Sequence, residues 1–264
     1  MRRKQIDAFE KDKLMDLPKI AIITGASRGI GKTVSMGLAA DGYRVALVSR
    51  SKDKLEAVAG EIRNDIIADS RLDPIVCPTD VADHRQVKNL VLDIKEKCNR
   101  IDISFNNAGR GTTGTLELDM AEFDNLLSVN LKGPFSLLKH VVPMMKRQKS
   151  GYIINLASRN GKVSVAGLGG YAASKYGLVG LAEALYRELS SEGIKVTTLC
   201  PGWVNTDMAV EAGNPHHPSE IIQPVDILDT IRWLLGLSAS VSIMEVLMEC
   251  SVDVESRKTK HKAM

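Results

Sequence analysis

Tyr171 and Lys175 stand four residues apart in the segment YAASK. On a helix that spacing puts both side chains on one face. A free tyrosine ionises only near pH ~10, so it exchanges its proton poorly at neutral pH. An ammonium beside it favours the phenolate by opposite charge. A tyrosine tuned in this way passes a proton to or from a carbonyl oxygen. Ser158 lies thirteen residues earlier, on a loop after a strand pattern. Its hydroxyl is suited to bond the same oxygen, as an oxyanion donor does. A Tyr–Lys pair alone is common on surface helices; Ser158 and a glycine loop far upstream make this one specific.

That glycine loop runs Thr24-Gly25-Ala26-Ser27-Arg28-Gly29-Ile30-Gly31, directly after the apolar run KIAIIT. Its spacing is G-x-x-x-G-x-G. Glycines there permit a tight turn and a close approach of a pyrophosphate to the backbone, and the helix that follows offers free N–H groups and a positive dipole end. The next strand pattern ends at Val48-Ser49-Arg50, where an acidic residue would bind the ribose hydroxyls of NAD. Arg50 stands there instead, suited to a 2′-phosphate, and Arg28 is a second candidate for that group. Two arginines and no acid favour NADP(H).

The elements that must position these residues alternate along the chain. Strand patterns fall at Lys19–Thr24, Arg44–Val48, Pro74–Cys77, Ile101–Phe105, Gly151–Leu156, Ile194–Cys200 and Met244–Met248. Helical periodicity falls between them, at Ile30–Ala40, Lys52–Ala68, Asp83–Lys97, Asp119–Lys149, Gly170–Glu192 and Pro224–Leu237. Nearly continuous apolar strands alternating with helices predict a seven-stranded parallel sheet covered on both faces. The fold class is α/β, a single-domain, doubly wound Rossmann fold. Residues 18–252 make the domain, residues 1–17 a charged N-terminal extension, and residues 253–264 a basic, solvated tail.

At 264 residues, 44% hydrophobic and 25% charged, the chain has the composition of a soluble domain with a sizeable core. A net charge of +3 gives no sign of nucleic-acid binding. No run of about eighteen apolar residues exists to span a membrane, and no secretory signal opens the chain. A cytoplasmic location is the default expectation. The cysteines (Cys77, Cys98, Cys200, Cys250) form no C-x-x-C pair and read as reduced thiols, with no metal site.

TGASRGIG, Asp80-Val81, NNAG (Asn106–Gly109), Asn130, Ser158, YAASK and PGWVNT (Pro201–Thr206) follow one another in order. With these motifs the chain resembles the short-chain dehydrogenase/reductase family, from Pro18 to about Val252. The resemblance implies that Tyr171 is the acid/base, that Lys175 lowers its pKa and binds the nicotinamide ribose, and that Ser158 positions the substrate oxygen. It implies that Asn130 sits in the long helix and holds a water linking Lys175 to solvent. For the cofactor it implies contacts from Gly25, Ser27, Arg28, Gly29, Ile30 and Gly31 in the first loop. Asp80 and Val81 would meet the adenine; Asn107, Ala108 and Gly109 the cleft wall. Pro201, Gly202, Val204 and Thr206 would hold the nicotinamide end. A homodimer or homotetramer, through Asp119–Lys149 and Gly170–Glu192, is also implied.

Relatives that reduce acyl-carrier ketones usually end in a glycine-rich strand. Here the ending is EVLMEC (Glu245–Cys250), closer to NADP-dependent alcohol dehydrogenases and carbonyl reductases, which counts against a role in fatty-acid synthesis. Substrate choice is expected from Arg159–Gly170, with an apolar wall of Val163, Val165, Ala166 and Leu168. It is also expected from Asp207–Ile222, a loop or short mobile helix that closes over the site and carries His216-His217-Pro218. Arg159 and Arg110 are placed either to bind an anionic group or to face water. The substrate is a small carbonyl or alcohol compound. The alternatives are a 3-oxoacyl thioester reductase, an alcohol dehydrogenase working mainly in oxidation, or a non-catalytic NADPH-binding regulator. An intact Asn130, Ser158, Tyr171 and Lys175 set argues against the last.

Overall fold

The computed structural model describes residues 17–254 of the chain. The strands are β1 (Ile20–Thr24), β2 (Arg44–Ser49), β3 (Ile75–Pro78), β4 (Ile103–Asn106), β5 (Gly151–Leu156), β6 (Ile194–Pro201) and β7 (Glu245–Met248). They form one sheet in the order β3-β2-β1-β4-β5-β6-β7, every neighbouring pair parallel. The expected fold class is the observed one, and each expected strand falls within two residues of its place.

Strand alternation explains why both faces are covered. Ala21 and Ile23 point into one core and Ile20 and Ile22 into the other, all four fully or almost fully buried. The first core takes α1 (Gly29–Ala40), α2 (Lys52–Asp65) and α8 (Pro224–Gly236) through Leu38, Leu55, Ile62, Ile227 and Ile231. The second takes α3 (His84–Cys98), α5 (Gly133–Gln148) and α6 (Gly169–Leu189) through Ile94, Val141, Met145 and Ala182. Alternate residues of the central strands enter opposite cores, and this fixes register, since a one-residue slip would exchange the two cores.

Two departures from the sequence reading bear on function. The helix expected over Asp119–Lys149 is not continuous: α4 (Met120–Leu127) passes through a π-turn, Ser128–Lys132, into α5. The cause is local. Pro134 has no N–H, so the carbonyls of Asn130 and Val129 lose their i+4 and i+5 donors. The second departure is at the C-terminus. Asp253, assigned to the solvated tail by composition, pairs with His216 at 2.8 Å, both side chains 19% exposed. Residues 255–264 of that tail, and the N-terminal extension up to residue 16, lie outside the described residues.

Strand order reverses beside β1. The chain moves outward through β2 and β3, then returns to place β4 on the other side, so the loops after β1 and β4 diverge and leave a crevice at their carboxyl ends. At the opposite end of the sheet, Gly193 enters β6 at φ +73°, and a Cβ there would lie 2.5 Å from the Lys149 carbonyl oxygen. Backbone offers no flexible end to move aside. Gly193→Ala is expected to cost about 1–3 kcal/mol of stability, read as a lower midpoint in thermal unfolding, with cofactor binding at the distant cleft retained.

Candidate active site

One cleft of about 1200 Å³ runs along the carboxyl ends of the strands. Its floor at the crevice is the glycine loop. Thr24 closes β1 with its hydroxyl, which accepts from the N–H groups of Asn107 and Ala108, each at 3.0 Å. Asn107 returns the tie by donating from Nδ2 to the Thr24 carbonyl at 2.7 Å. The two diverging loops are thereby held together below the cleft. A Cβ on Gly31 would lie 2.1 Å from the Gly25 carbonyl oxygen, so only glycine lets α1 begin so close to the turn. Arg28 takes the N-cap position of α1 and makes no side-chain cap bond to its first turn. Those first N–H groups have no helical partner and point where an anion would sit. Ser27, Gly29 and Ile30 line the same turn.

Thr79, Asp80 and Val81 form the far wall after β3. Asp80 is spent on its own loop: Oδ1 accepts from the Ala82 N–H at 3.0 Å. Arg50 lines the cleft at the end of β2, joined by Lys54 in the first turn of α2. Lys54 was not among the residues expected from the sequence; its signal was a cation four residues beyond Arg50. Arg28, the second cation expected for that phosphate, forms exposed ion pairs. Its guanidinium bonds Asp207 at 3.0 Å and lies 3.6 Å from Glu211, both on α7 (Asp207–Glu211), the short helix that crosses the cleft. Thr206 starts that helix, and its methyl group lies 3.2 Å from the position of a Cβ on Gly29. Pro201, Gly202 and Val204 lead into it from β6, Gly202 donating to the Met248 carbonyl at 2.8 Å.

At the other end stand Ser158, Tyr171 and Lys175. Ser158 follows β5 and caps a short turn, its Oγ accepting from the Asn160 N–H at 3.1 Å. Burial holds the Tyr171 phenol above its ordinary value, and the nearby Ser158 hydroxyl offsets this only in part. Lys175 is 4% exposed and donates from Nζ to the Leu156 carbonyl at 2.9 Å. Burial brings its pKa down from 10.5 to about 8, opposed by the Cys200 thiol. Its Nζ lies 5.8 Å from the centre of the Tyr171 ring. The helix face is shared, as the spacing required. Yet the chief influence on Tyr171 is loss of water, and the same burial that raises the phenol also favours discharge of the amine.

Asn130, 1% exposed, works through its side chain as a clamp. Oδ1 accepts from the Arg110 N–H and Nδ2 donates to the Arg110 carbonyl, both at 2.8 Å. The second Nδ2 proton goes to the Ser174 Oγ at 2.9 Å, and that hydroxyl donates to the Tyr171 carbonyl at 2.7 Å. The loop after β4, the π-turn and the first turn of α6 are thus one hydrogen-bonded unit. Ser174 and Thr24 escaped the sequence reading because a buried hydroxyl carries no pattern. A Cβ on Gly109 would lie 3.6 Å from both Asn130 Oδ1 and Lys175 Nζ, which places these two groups around the same glycine.

The lysine pKa has a measurable consequence. Between pH 8 and 10.5 an unfolded chain holds a proton on Lys175 that the folded chain has released, so folding stability rises with pH across that window. Below it, the unfavourable burial of the charge is constant. In urea unfolding, wild type is expected to gain up to about 3 kcal/mol relative to Lys175→Met between those limits. A flat difference would mean that the folded chain keeps the charge.

Comparison with known proteins agrees with this geometry. The family model described as short chain dehydrogenase matches residues 19–216. The 3-oxoacyl-acyl-carrier-protein reductase FabG of Staphylococcus aureus is 38% identical over 196 residues, 74% of this chain and 78% of that protein. The crystal structure of a betaketoacyl-ACP reductase (FabG) from Bacteroides thetaiotaomicron is 44% identical and superposes with a TM-score of 0.81, covering 90% of this chain and 99% of that one. The alcohol dehydrogenase from the archaeon Thermococcus sibiricus, complexed with 5-hydroxy-NADP, is 30% identical with a TM-score of 0.79, covering 88% and 97%. The chain belongs to the short-chain dehydrogenase/reductase family of oxidoreductases.

Proposed function

We propose that this protein is an NADP(H)-dependent reductase of a ketone or aldehyde, with Tyr171 as its acid/base. The observation that carries the reading is the convergence of the Ser158 hydroxyl, the Tyr171 hydroxyl and buried Lys175 on one end of a cleft whose other end is an uncapped helix N-terminus. The residues fit the cofactor. The uncapped first turn of α1 and the close Gly25–Gly31 approach suit a pyrophosphate, and Arg50 with Lys54 supplies two cations for a 2′-phosphate. When bound, the nicotinamide supplies the hydride.

The chain's own groups do the rest. Ser158 donates to the substrate oxygen and orients it against Tyr171. Tyr171, kept protonated by burial, gives its proton to that oxygen as charge develops there. Lys175 is held by the Leu156 carbonyl at a depth where its charge state responds to neighbouring groups. Pro134 leaves the Asn130 main-chain carbonyl without its helical donor, and that carbonyl is suited to hold a water beside Lys175 for return of the proton. The same reading includes a homo-oligomer through α5 and α6, on which Phe135 and Tyr176 are about half exposed.

Two outcomes are expected. NADPH consumption on a panel of ketones, aldehydes, diketones and 3-oxoacyl thioesters should find a substrate, and Tyr171→Phe should lower kcat on it by at least about 100-fold. Tight NADPH binding with no turnover on any member would favour a binding protein on the same fold. Arg50→Glu should weaken NADPH binding at least tenfold more than NADH binding in a fluorescence titration. Equal losses for the two cofactors would remove Arg50 from the 2′-phosphate.

A further inference from the structure

Arg159 is the residue after Ser158 and lines the same cleft as Ser158 and Tyr171. A guanidinium carries five N–H donors in a planar fork. Among the described residues its side chain meets one partner, Glu249, at 3.4 Å through Nη1. The remaining donors are unmatched by protein, although the side chain is only 17% exposed. Arg110, also lining the cleft, behaves differently: it spends two donors on Glu122, at 2.6 and 3.2 Å, and stands 44% exposed. The remaining guanidinium nitrogens are reached by solvent in the cleft, where an acceptor on an entering molecule can replace water.

Glu249 decides which acceptors those are. It follows β7 and does not line the cleft, so its charge lies behind the guanidinium. Lys162, three residues beyond Arg159, pairs with Glu245 at 3.0 Å. The loop after β5 is therefore tied to β7 by two ion pairs, and Arg159 is held in the cleft wall with its charge already balanced. An arriving carboxylate would gain the guanidinium and meet the repulsion of Glu249. A neutral carbonyl oxygen would gain hydrogen bonds without that repulsion.

We infer that Arg159 is a specificity-determining residue that binds a second, uncharged acceptor oxygen on the substrate, with Glu249 setting the preference for a neutral group. Resting on the reductase reading, this narrows the substrate to carbonyl compounds carrying an ester, thioester or second carbonyl near the reacting one. Ser158 and Arg159, adjacent in sequence, address two oxygens of one molecule. Plain ketones lack the second acceptor and leave the fork unmatched. Keto acids supply it with the wrong charge.

The test uses the full chain with NADPH and three small probes: ethyl acetoacetate, acetoacetate and 2-heptanone, the last matching the ester in chain length. Wild type is expected to favour the keto ester over 2-heptanone by about tenfold in kcat/KM, since a site built to hydrogen-bond an oxygen rejects the analogue lacking it. Arg159→Leu should lower kcat/KM on the ester about tenfold more than on 2-heptanone, chiefly through KM. Glu249→Gln should raise the acetoacetate-to-ester ratio several-fold. Parallel losses on all three probes in Arg159→Leu, or an unchanged acid-to-ester ratio in Glu249→Gln, would overturn the assignment while leaving the reductase reading intact. No Tyr171-dependent turnover of any probe by wild type would overturn the reductase reading for small carbonyl compounds, and the Arg159 assignment with it.

Discussion

Everything at the active end of the cleft depends on the Asn130 side chain. One amide makes three hydrogen bonds, to the Arg110 N–H, the Arg110 carbonyl and the Ser174 hydroxyl. At 1% exposure, none of these bonds competes with bulk water, so each is worth more than it would be at the surface. Through Ser174 the amide reaches the backbone of Tyr171 itself. The phenol stands on a helix turn pinned to the loop after β4. The π-turn is the device that makes this possible. A regular helix would carry residues 128–132 with a different twist, and Pro134 guarantees that the regular hydrogen bonds cannot all form.

Burial then sets the chemistry. Lys175 is buried between α6 and the end of β5, Tyr171 is partly buried at the cleft wall, and desolvation shifts each toward its neutral form. For reduction that is the useful state of tyrosine, because an acid must hold its proton until the substrate oxygen requires it. The binding end follows a different principle. There the glycine loop exposes the start of α1 rather than a charged side chain, and on the proposed reading specificity for the cofactor's phosphate falls to the exposed cations beyond it. The two ends share one floor because Thr24 and Asn107 tie the loops after β1 and β4 together.

The fold was legible because its cause is local. Each strand is a short apolar run and each helix an amphipathic stripe, and a parallel sheet with two covered faces is the arrangement that buries both. The candidate site residues were legible because their spacing is local too: Tyr171 and Lys175 share a turn, and Gly25, Gly29 and Gly31 share a loop. What escaped were partnerships between distant segments. Arg28 meets Asp207 across 179 residues, Arg159 meets Glu249 across 90, and Asn130 meets Ser174 across 44. No pattern within a segment encodes such a pair. The break at Asn130 is an intermediate case. Pro134 was visible in the sequence as a missing donor, but the continuous apolar stripe around it read as unbroken helix.

The central claim is that Tyr171 exchanges the proton that accompanies hydride transfer, and the most direct measurement is the pH dependence of single-turnover rates in both directions. Burial holds the free phenol above its ordinary value. On this account the reduction rate stays level through neutral pH and falls at alkaline pH as the phenol ionises. Alcohol oxidation rises over the same range and with the same midpoint, because the phenolate is then the base. Both dependences vanish in Tyr171→Phe along with most of the rate. Reduction and oxidation rates that change with pH in the same direction, or an alkaline limb that survives in Tyr171→Phe, would contradict the assignment and move the proton to another group.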